Sequence, residues 1–202
     1  MQEAIYHLRR SDPILAGIID RVGDYRIQFR DPDFETLVKS IVNQQLSGRV
    51  ASVIFARLTA AAAAGGKLTP AGILKLRPVR MRALGLSTQK TAYIRDLARH
   101  ARDGVIRFDD LLELPDQEVI ARLTQVKGIG VWTVHMFLIF ALRRPDVLPT
   151  GDLGIRNAIR KAYNLPELPQ PAEMATMAER WRPYCTVASW YLWRSLEPNA
   201  NL

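Results

Sequence analysis

The sequence predicts an all-α protein built as two helical lobes with a cleft between them. Apolar residues recur at spacings of three and four through most of the chain, and only one short stretch alternates as a strand would. Residues that open and close helices punctuate the periodic segments at short intervals, without βαβ alternation or a fixed repeat, which leaves roughly eight to ten helices joined by short turns. Two motif regions far apart in sequence, carried on so many short helices, point to the cleft.

The elements follow in order. The alternating stretch is YRIQF, residues 25–29. Across residues 34–58, Leu37, Val38, Ile41, Val42, Leu46, Val50, Val53, Ile54 and Leu58 recur at helical spacing, which fits one or two amphipathic helices. In TAAAAAGGK the alanines extend that helix, and Gly65 and Gly66 are placed to stop it. Thr69 and Pro70 supply a capping oxygen and a preset φ for a helix running to about Arg77. In LGLSTQKTAYIRDLARHARDG, Ser87 or Thr88 caps a helix whose Tyr93, Ile94, Leu97 and Ala101 share a face until Gly104. Asp116 is placed to cap a helix over residues 117 to about 125, and a turn and an apolar helix follow at once. Ile155, Ala158, Ile159 and Ala162 mark another helix, which LPELPQP ends, and the last helices carry AERW and VASWYLWRSL.

With 48% hydrophobic residues in a chain of 202, a sizeable core is within reach. The formal net charge is +8 and the pI near 10.0, with Lys and Arg spread along the chain, so the expected partner is a polyanion. A single cysteine, Cys185, excludes an internal disulfide and any Cys-rich metal or iron–sulfur site built by this chain alone, which fits a reducing compartment. MQEAIYHLRRSDPIL lacks the apolar region of a secretion signal, and no run approaches the roughly 18 apolar residues of a membrane span, so a soluble, intracellular protein is expected. His7, His100 and His135 are too scattered for a metal site, and no nucleophile elbow or P-loop is present.

The most punctuated stretch is VKGIGVWTVHMFLIFALRRPDVLPTGD. Gly128 and Gly130 allow a tight turn between two helices and leave the amides at the head of the second uncovered. Those amides, with the positive end of the helix dipole, suit a phosphate and read no base. A bare glycine pair of this kind also serves ordinary helical corners.

Four separated stretches in this order resemble the helix-hairpin-helix DNA glycosylases, and within them the 3-methyladenine DNA glycosylase II type: IVNQQLSGRVA, LTQVKGIGVWTVHMFLIFAL, RPDVLPTGDLGIR and AERWRPYCTVASWYLWR. The match runs from about Asp12 to Pro198. The resemblance implies a single glycosylase domain of two helical lobes: residues 33–115 carry a wedge, 116–165 hold the hairpin and a catalytic loop, and 1–32 with 166–202 complete the second lobe. The N-terminal β-rich domain of well-known members is expected to be missing. The implied partner is double-stranded DNA containing alkylated bases, met by a monomer alongside chromosomal DNA, in the cytoplasm or, in a eukaryote, the nucleus.

Excising a base breaks the C1′–N bond as positive charge builds on the sugar, which calls for a carboxylate in a water-poor pocket. The resemblance puts Asp152 there, stabilising the oxocarbenium-like transition state, with positioning or deprotonation of the attacking water as a further role. Capping the helix that starts near Leu153 is compatible with that role. Asp146 is expected to be structural, ordering the turn before Pro149. Where strand-cleaving relatives carry a lysine that forms a Schiff base, this chain has Trp132, so it is expected to release the base alone. An alkylated purine is cationic, which suits the faces of Trp132 and Trp193, with Trp190, Tyr191 and Tyr184 as candidate walls. Gln45, with Leu46 beside it, matches the family's wedge, while Asn43 and Gln44 are left to bonds within the lobe or with the base. Lys127, Gly128, Ile129 and Gly130 form the backbone-gripping hairpin. No cofactor is required by the resemblance, but it implies Na+ or K+ on the carbonyls of Thr124, Val126 and Ile129. A bifunctional glycosylase and lyase, or a non-catalytic DNA-binding module, are the alternatives.

Overall fold

A computed structural model describes residues 1–64 and 66–197. The expected helix stop at Gly65 and the stretch from Pro198 onward lie outside the described residues. The chain divides into two units, Met1–Phe29 with Leu138–Leu202, and Arg30–Phe137. The second boundary falls after residue 137, inside one helix, so the hairpin and the loop carrying Asp152 belong to different units. The sequence reading had kept both in residues 116–165.

The first unit begins with α1 (Gln2–Ser11) and α2 (Pro13–Val22). Asp12 breaks them apart: Pro13 cannot continue a helix, and the Asp12 carboxylate accepts from the Ile14 and Leu15 amides at 3.0 and 3.1 Å. Residues 25–29 form no strand, and among the described residues none pairs with them. Their alternation has another cause, since Tyr25 and Ile27 pack against this unit's core.

The second unit opens with α3 (Phe34–Asn43), whose Asp33 cap accepts from Thr36 N at 2.9 Å and whose Leu37, Val38, Ile41 and Val42 are buried. α4 (Gly48–Ala62) follows, so residues 34–58 are two helices. The alanine run does not stay helical to its end: β1 (Ala63–Ala64) pairs antiparallel with β2 (Lys67–Leu68), and the Glu35 carboxylate takes the Leu68 amide at 3.0 Å. A ladder partner and a side-chain acceptor here override alanine's helix propensity.

Thr69 caps α5 (Pro70–Lys75) through Gly72 N at 3.1 Å. The helix expected to reach Arg77 stops short, and α6 (Pro78–Ala83) starts anew, because Pro78 drives Arg77 to extended backbone. Ser87 caps α7 (Thr88–Arg102). A 3-10 turn, Asp110–Leu112, leads to α8 (Asp116–Leu123), in which Asp116 is the first helical residue and Pro115 stands at the cap position. α9 (Val131–Phe140) runs across the boundary into the first unit.

The first unit then adds α10 (Leu153–Ala162), α11 (Pro171–Ala178), the 3-10 turn Glu179–Trp181 and α12 (Cys185–Arg194). Its core gathers Leu8, Leu15, Ile18, Ile159, Trp181 and Tyr191. Buried among them, Asp12 also receives Trp181 Nε1 at 2.8 Å and the Tyr163 hydroxyl, tying α2 to α10 and to the turn before α12. The chain is thus all-α, with one two-residue ladder among the described residues.

Candidate functional site

Asp152 ends the loop that Pro149 and Gly151 shape, and its amide donates to Pro149 O at 2.9 Å. The residue is 8% exposed. Its Oδ1 accepts from the Ile155 amide at 2.8 Å, which caps α10, and from Trp193 Nε1 at 2.9 Å. The Trp193 ring in turn stacks on Phe140, centroids 5.9 Å apart and planes at 24°. Gly154 keeps this corner open: a Cβ there would lie 3.0 Å from Asp152 Oδ1 and 3.2 Å from Trp193, so both would have to shift by a few tenths of an ångström. Two donors thus hold one carboxylate against stacked aromatic rings, an arrangement that fixes a negative charge beside a low-dielectric wall. The sequence reading named Asp152 and Trp193 but missed Phe140 and Gly154. The glycine two residues past the aspartate was the available signal.

Asp146 proves structural, with a different attachment from the one expected. Its Oδ2 pairs with Arg182 Nη1 at 2.6 Å, and its Oδ1 accepts from the Cys185 amide at 3.2 Å. Thr186 completes the seam by donating to Arg144 O at 2.6 Å and accepting from Val147 N at 3.1 Å. The carboxylate therefore binds the head of α12 and does not order the turn at Pro149. Burial works to raise its pKa, but the bonds from Cys185 and Arg182 outweigh it and hold the carboxyl below the usual range.

The three candidate walls have packing partners of their own. Trp190 meets Tyr25 and Tyr191 edge-on at 4.7 and 5.0 Å, and Tyr191 is fully buried with its hydroxyl donating to Gly23 O at 3.0 Å. Tyr184 meets His7 at 5.4 Å. Their ring contacts include the N-terminal helices and the residues after them, while Trp193 donates to Asp152.

The second unit carries the hairpin. α8 ends at Leu123, the chain turns through Thr124 to Gly130, and α9 begins at Val131. Gly128 has φ +84, and a Cβ on it would lie 2.1 Å from the Tyr93 ring, so both conformation and contact demand glycine. Gly130 has open space around it and no such φ. Val126 and Ile129 are buried beneath the turn, while Lys127 is exposed with its amide donating to Asp96 Oδ2 at 3.0 Å. Asp96 was not foreseen; burial works to raise its pKa, and the Lys127 amide and Arg99 overcome this to lower it.

At the end of α3, Gln45 adopts a left-handed backbone, φ 56, on an exposed turn, and Leu46 beside it is 39% exposed. Asn43 is turned back onto Lys39 O at 2.7 Å. Gln44 instead reaches the hairpin, its Nε2 donating to Gly128 O at 2.8 Å. Trp132, in the first turn of α9, is 47% exposed, an unusual posture for the largest side chain. His135, further along, is half-buried, and burial lowers its pKa.

Among the described residues, no three His, Cys, Asp or Glu side chains gather as a metal site, and no helix is long and apolar enough to cross a membrane.

Comparison with known proteins adds three findings. The family described as HhH-GPD superfamily base excision DNA repair protein matches residues 38–183. The chain is 36% identical over 200 residues to DNA-3-methyladenine glycosylase 1 of Schizosaccharomyces pombe, covering 96% of this chain and 87% of that protein. Among solved structures, it is similar to the S. pombe 3-methyladenine DNA glycosylase Mag1 in complex with abasic DNA, with a TM-score of 0.82 and 36% identity over 95% of each chain. It is also similar to a Bacillus halodurans DNA-3-methyladenine glycosidase, with a TM-score of 0.86 and 33% identity, covering 98% of this chain and 89% of that one.

Proposed function

The chain belongs to the HhH-GPD superfamily of base excision DNA repair proteins, and from that premise we propose that it is a monofunctional DNA glycosylase. It flips alkylated purines such as 3-methyladenine and 7-methylguanine out of duplex DNA and hydrolyses their glycosidic bond, leaving an abasic site. The observation that carries this reading is the Asp152 carboxylate, held by Ile155 N and Trp193 Nε1 in a buried position that a carboxylate avoids without a use. The similar proteins from S. pombe and B. halodurans are named as 3-methyladenine DNA glycosylases or glycosidases, and the S. pombe Mag1 structure holds abasic DNA.

In the proposed cycle the Gly128 and Gly130 amides, the exposed Lys127 side chain and the head of α9 take the DNA backbone, while the Lys127 and Ile129 amides stay bonded within the unit. Extrusion of the target nucleotide costs a few kcal/mol, least for a damaged or mispaired base, and Gln45 with Leu46 fills the gap. The aromatic faces proposed to attract the cationic purine are the Trp193 ring beside Asp152 in the first unit and the exposed Trp132 in the second. As the C1′–N bond breaks, its electron pair leaves with the base, which departs neutral because alkylation had made it cationic. The Asp152 carboxylate opposes the positive charge developing on the sugar. Water then adds to C1′ and gives up a proton, for which Asp152 is the nearest base on this reading. Trp132 has no amine, so no Schiff base forms and the strand stays intact.

We propose that the hairpin carbonyls hold a monovalent cation. Thr124 caps α8, where helix carbonyls lack intrahelical partners, and Val126 O accepts from Ile129 N at 3.1 Å. Na+ or K+ on the carbonyls of Thr124, Val126 and Ile129 would bring positive charge to the phosphate. We further propose that the protein acts as a monomer on chromosomal DNA.

The test is chromatography of the bases freed from methylated duplex DNA. Release of methylated purines by the wild type, lost in Asp152→Asn, supports the proposal; a wild type that binds duplex and frees no base leaves a DNA-binding module. Borohydride trapping on abasic DNA is expected to capture nothing, and a trapped adduct would make the enzyme a lyase.

A further inference from the structure

Lys90 stands in the first turn of α7, directly after the Ser87 cap, where a helix dipole disfavours a cation. Its ammonium is half-buried and donates to two carbonyls on another element, Val42 O at 2.8 Å and Gln44 O at 2.5 Å. These lie at the end of α3, where Gln45 takes its left-handed turn and the helix can no longer supply amides to its own carbonyls. Lys90 supplies the missing donors, with a charge suited to a helix C-terminus.

Three and six residues on, the same helix meets the hairpin. The Tyr93 ring closes over Gly128, and the Asp96 carboxylate takes the Lys127 amide. Gln44 closes the circuit by donating to Gly128 O at 2.8 Å. A strained backbone such as that of Gln45 persists only where its surroundings determine it from several sides. Here they do: the lysine holds the turn from below, and the hairpin holds it from the flank.

We infer that Lys90 is a positioning residue that sets the register between the Gln45–Leu46 wedge and the phosphate-gripping hairpin, so that DNA held at one is probed at a fixed distance by the other. The inference rests on the function proposed above and goes beyond it, because it assigns to α7, which carries none of the proposed reacting groups, the preorganisation of base extrusion. A loose wedge would have to be ordered against the stack at the moment of flipping, and that entropy would be lost from extrusion while leaving backbone binding intact.

The experiment uses the full chain with Lys90→Met, which keeps the aliphatic stem and removes the three donors. Duplexes carry the alkylated base paired normally or opposite a mismatch, and a second set carries 2-aminopurine opposite a tetrahydrofuran abasic analogue. Single-turnover excision from the normal pair is expected to fall about tenfold or more, with most of the loss recovered at the mismatch, where extrusion is cheaper. Affinity for undamaged duplex is expected to stay within about twofold, since backbone contacts set it. The 2-aminopurine signal should drop with excision. Gln44→Met, which removes the flank tie alone, should show the same pattern more weakly and serves if Lys90→Met does not fold. Equal slowing on paired and mismatched lesions, or an unchanged 2-aminopurine signal, overturns the inference. Absence of base release by the wild type instead overturns the proposed function.

Discussion

At the residue scale, one oxygen of Asp152 accepts two hydrogen bonds, from the cap of α10 and from the Trp193 indole. Asparagine keeps that acceptor and loses the charge, so structure and chemistry can be separated. Asp152→Asn is expected to unfold within about 0.5 kcal/mol of wild type, since an Asn cap is as good as Asp, while single-turnover base release falls at least about 100-fold. Asp152→Ala should lose the same activity and a further 1 kcal/mol or so of stability, because the cap goes and a half-buried indole donor loses its acceptor. Thermal unfolding beside excision kinetics checks both. Asp12 shows the other use of a buried carboxylate, for it takes two α2 amides, Trp181 and the Tyr163 hydroxyl. Asp12→Ala should cost about 3 kcal/mol in urea unfolding through the orphaned donors. Cap positions of this kind were legible in the sequence, because an Asp before a helix has a local reason to be there. The indole bond to Asp152 joins residues 41 apart and has no local signature.

At the element scale, the hairpin shows what spacing conveys and what it hides. The sequence gives both glycines the same task, yet only Gly128 has the left-handed backbone and a ring where its Cβ would be. Gly128→Ala is expected to cost about 2 kcal/mol or more, with part recovered in the Gly128→Ala, Tyr93→Ala double variant, while Gly130→Ala stays within about 0.5 kcal/mol. Any loss of duplex affinity in Gly130→Ala then reports close approach of the DNA backbone, measured by titration at fixed salt. The break between α5 and α6 had a sequence signal, Pro78, that outranks the apolar spacing on either side. The end of α4 had none of comparable strength, because five alanines read as helix until a strand partner and the Glu35 carboxylate are in place. Trp190 and Tyr191, expected as walls, pack against Tyr25 after α2, a long-range contact with no local sequence signal.

At the scale of the whole molecule, the helical class was legible, whereas the division of the chain into two units has no local sequence signal. The first unit joins the two ends of the chain, and the division falls inside α9, where the sequence shows an unbroken apolar helix. Long-range contacts decide such a boundary, and periodicity reports only local ones. The same contacts distribute the buried carboxylates. Asp12 and Asp146 in the first unit and Asp96 in the second all have pKa values lowered from 3.8, each against a burial effect that alone would raise it and that bonds from their partners outweigh. A carboxylate with a lowered folded pKa contributes stability that is fully present above its unfolded pKa and is lost as pH falls through the folded value. Stability should therefore be flat with respect to these groups above about pH 5 and fall below about pH 4, by up to about 4 kcal/mol per pH unit if all three take up a proton together. Because the groups sit in both units, acid should weaken both, and Asp12→Asn should reduce the slope by about one third without altering the plateau's flatness. Urea midpoints between pH 2.5 and 6 measure this directly. A variant slope equal to wild type would mean that Asp12 titrates alike in the folded and unfolded chains, and that its four donors contribute through their geometry and not through its charge.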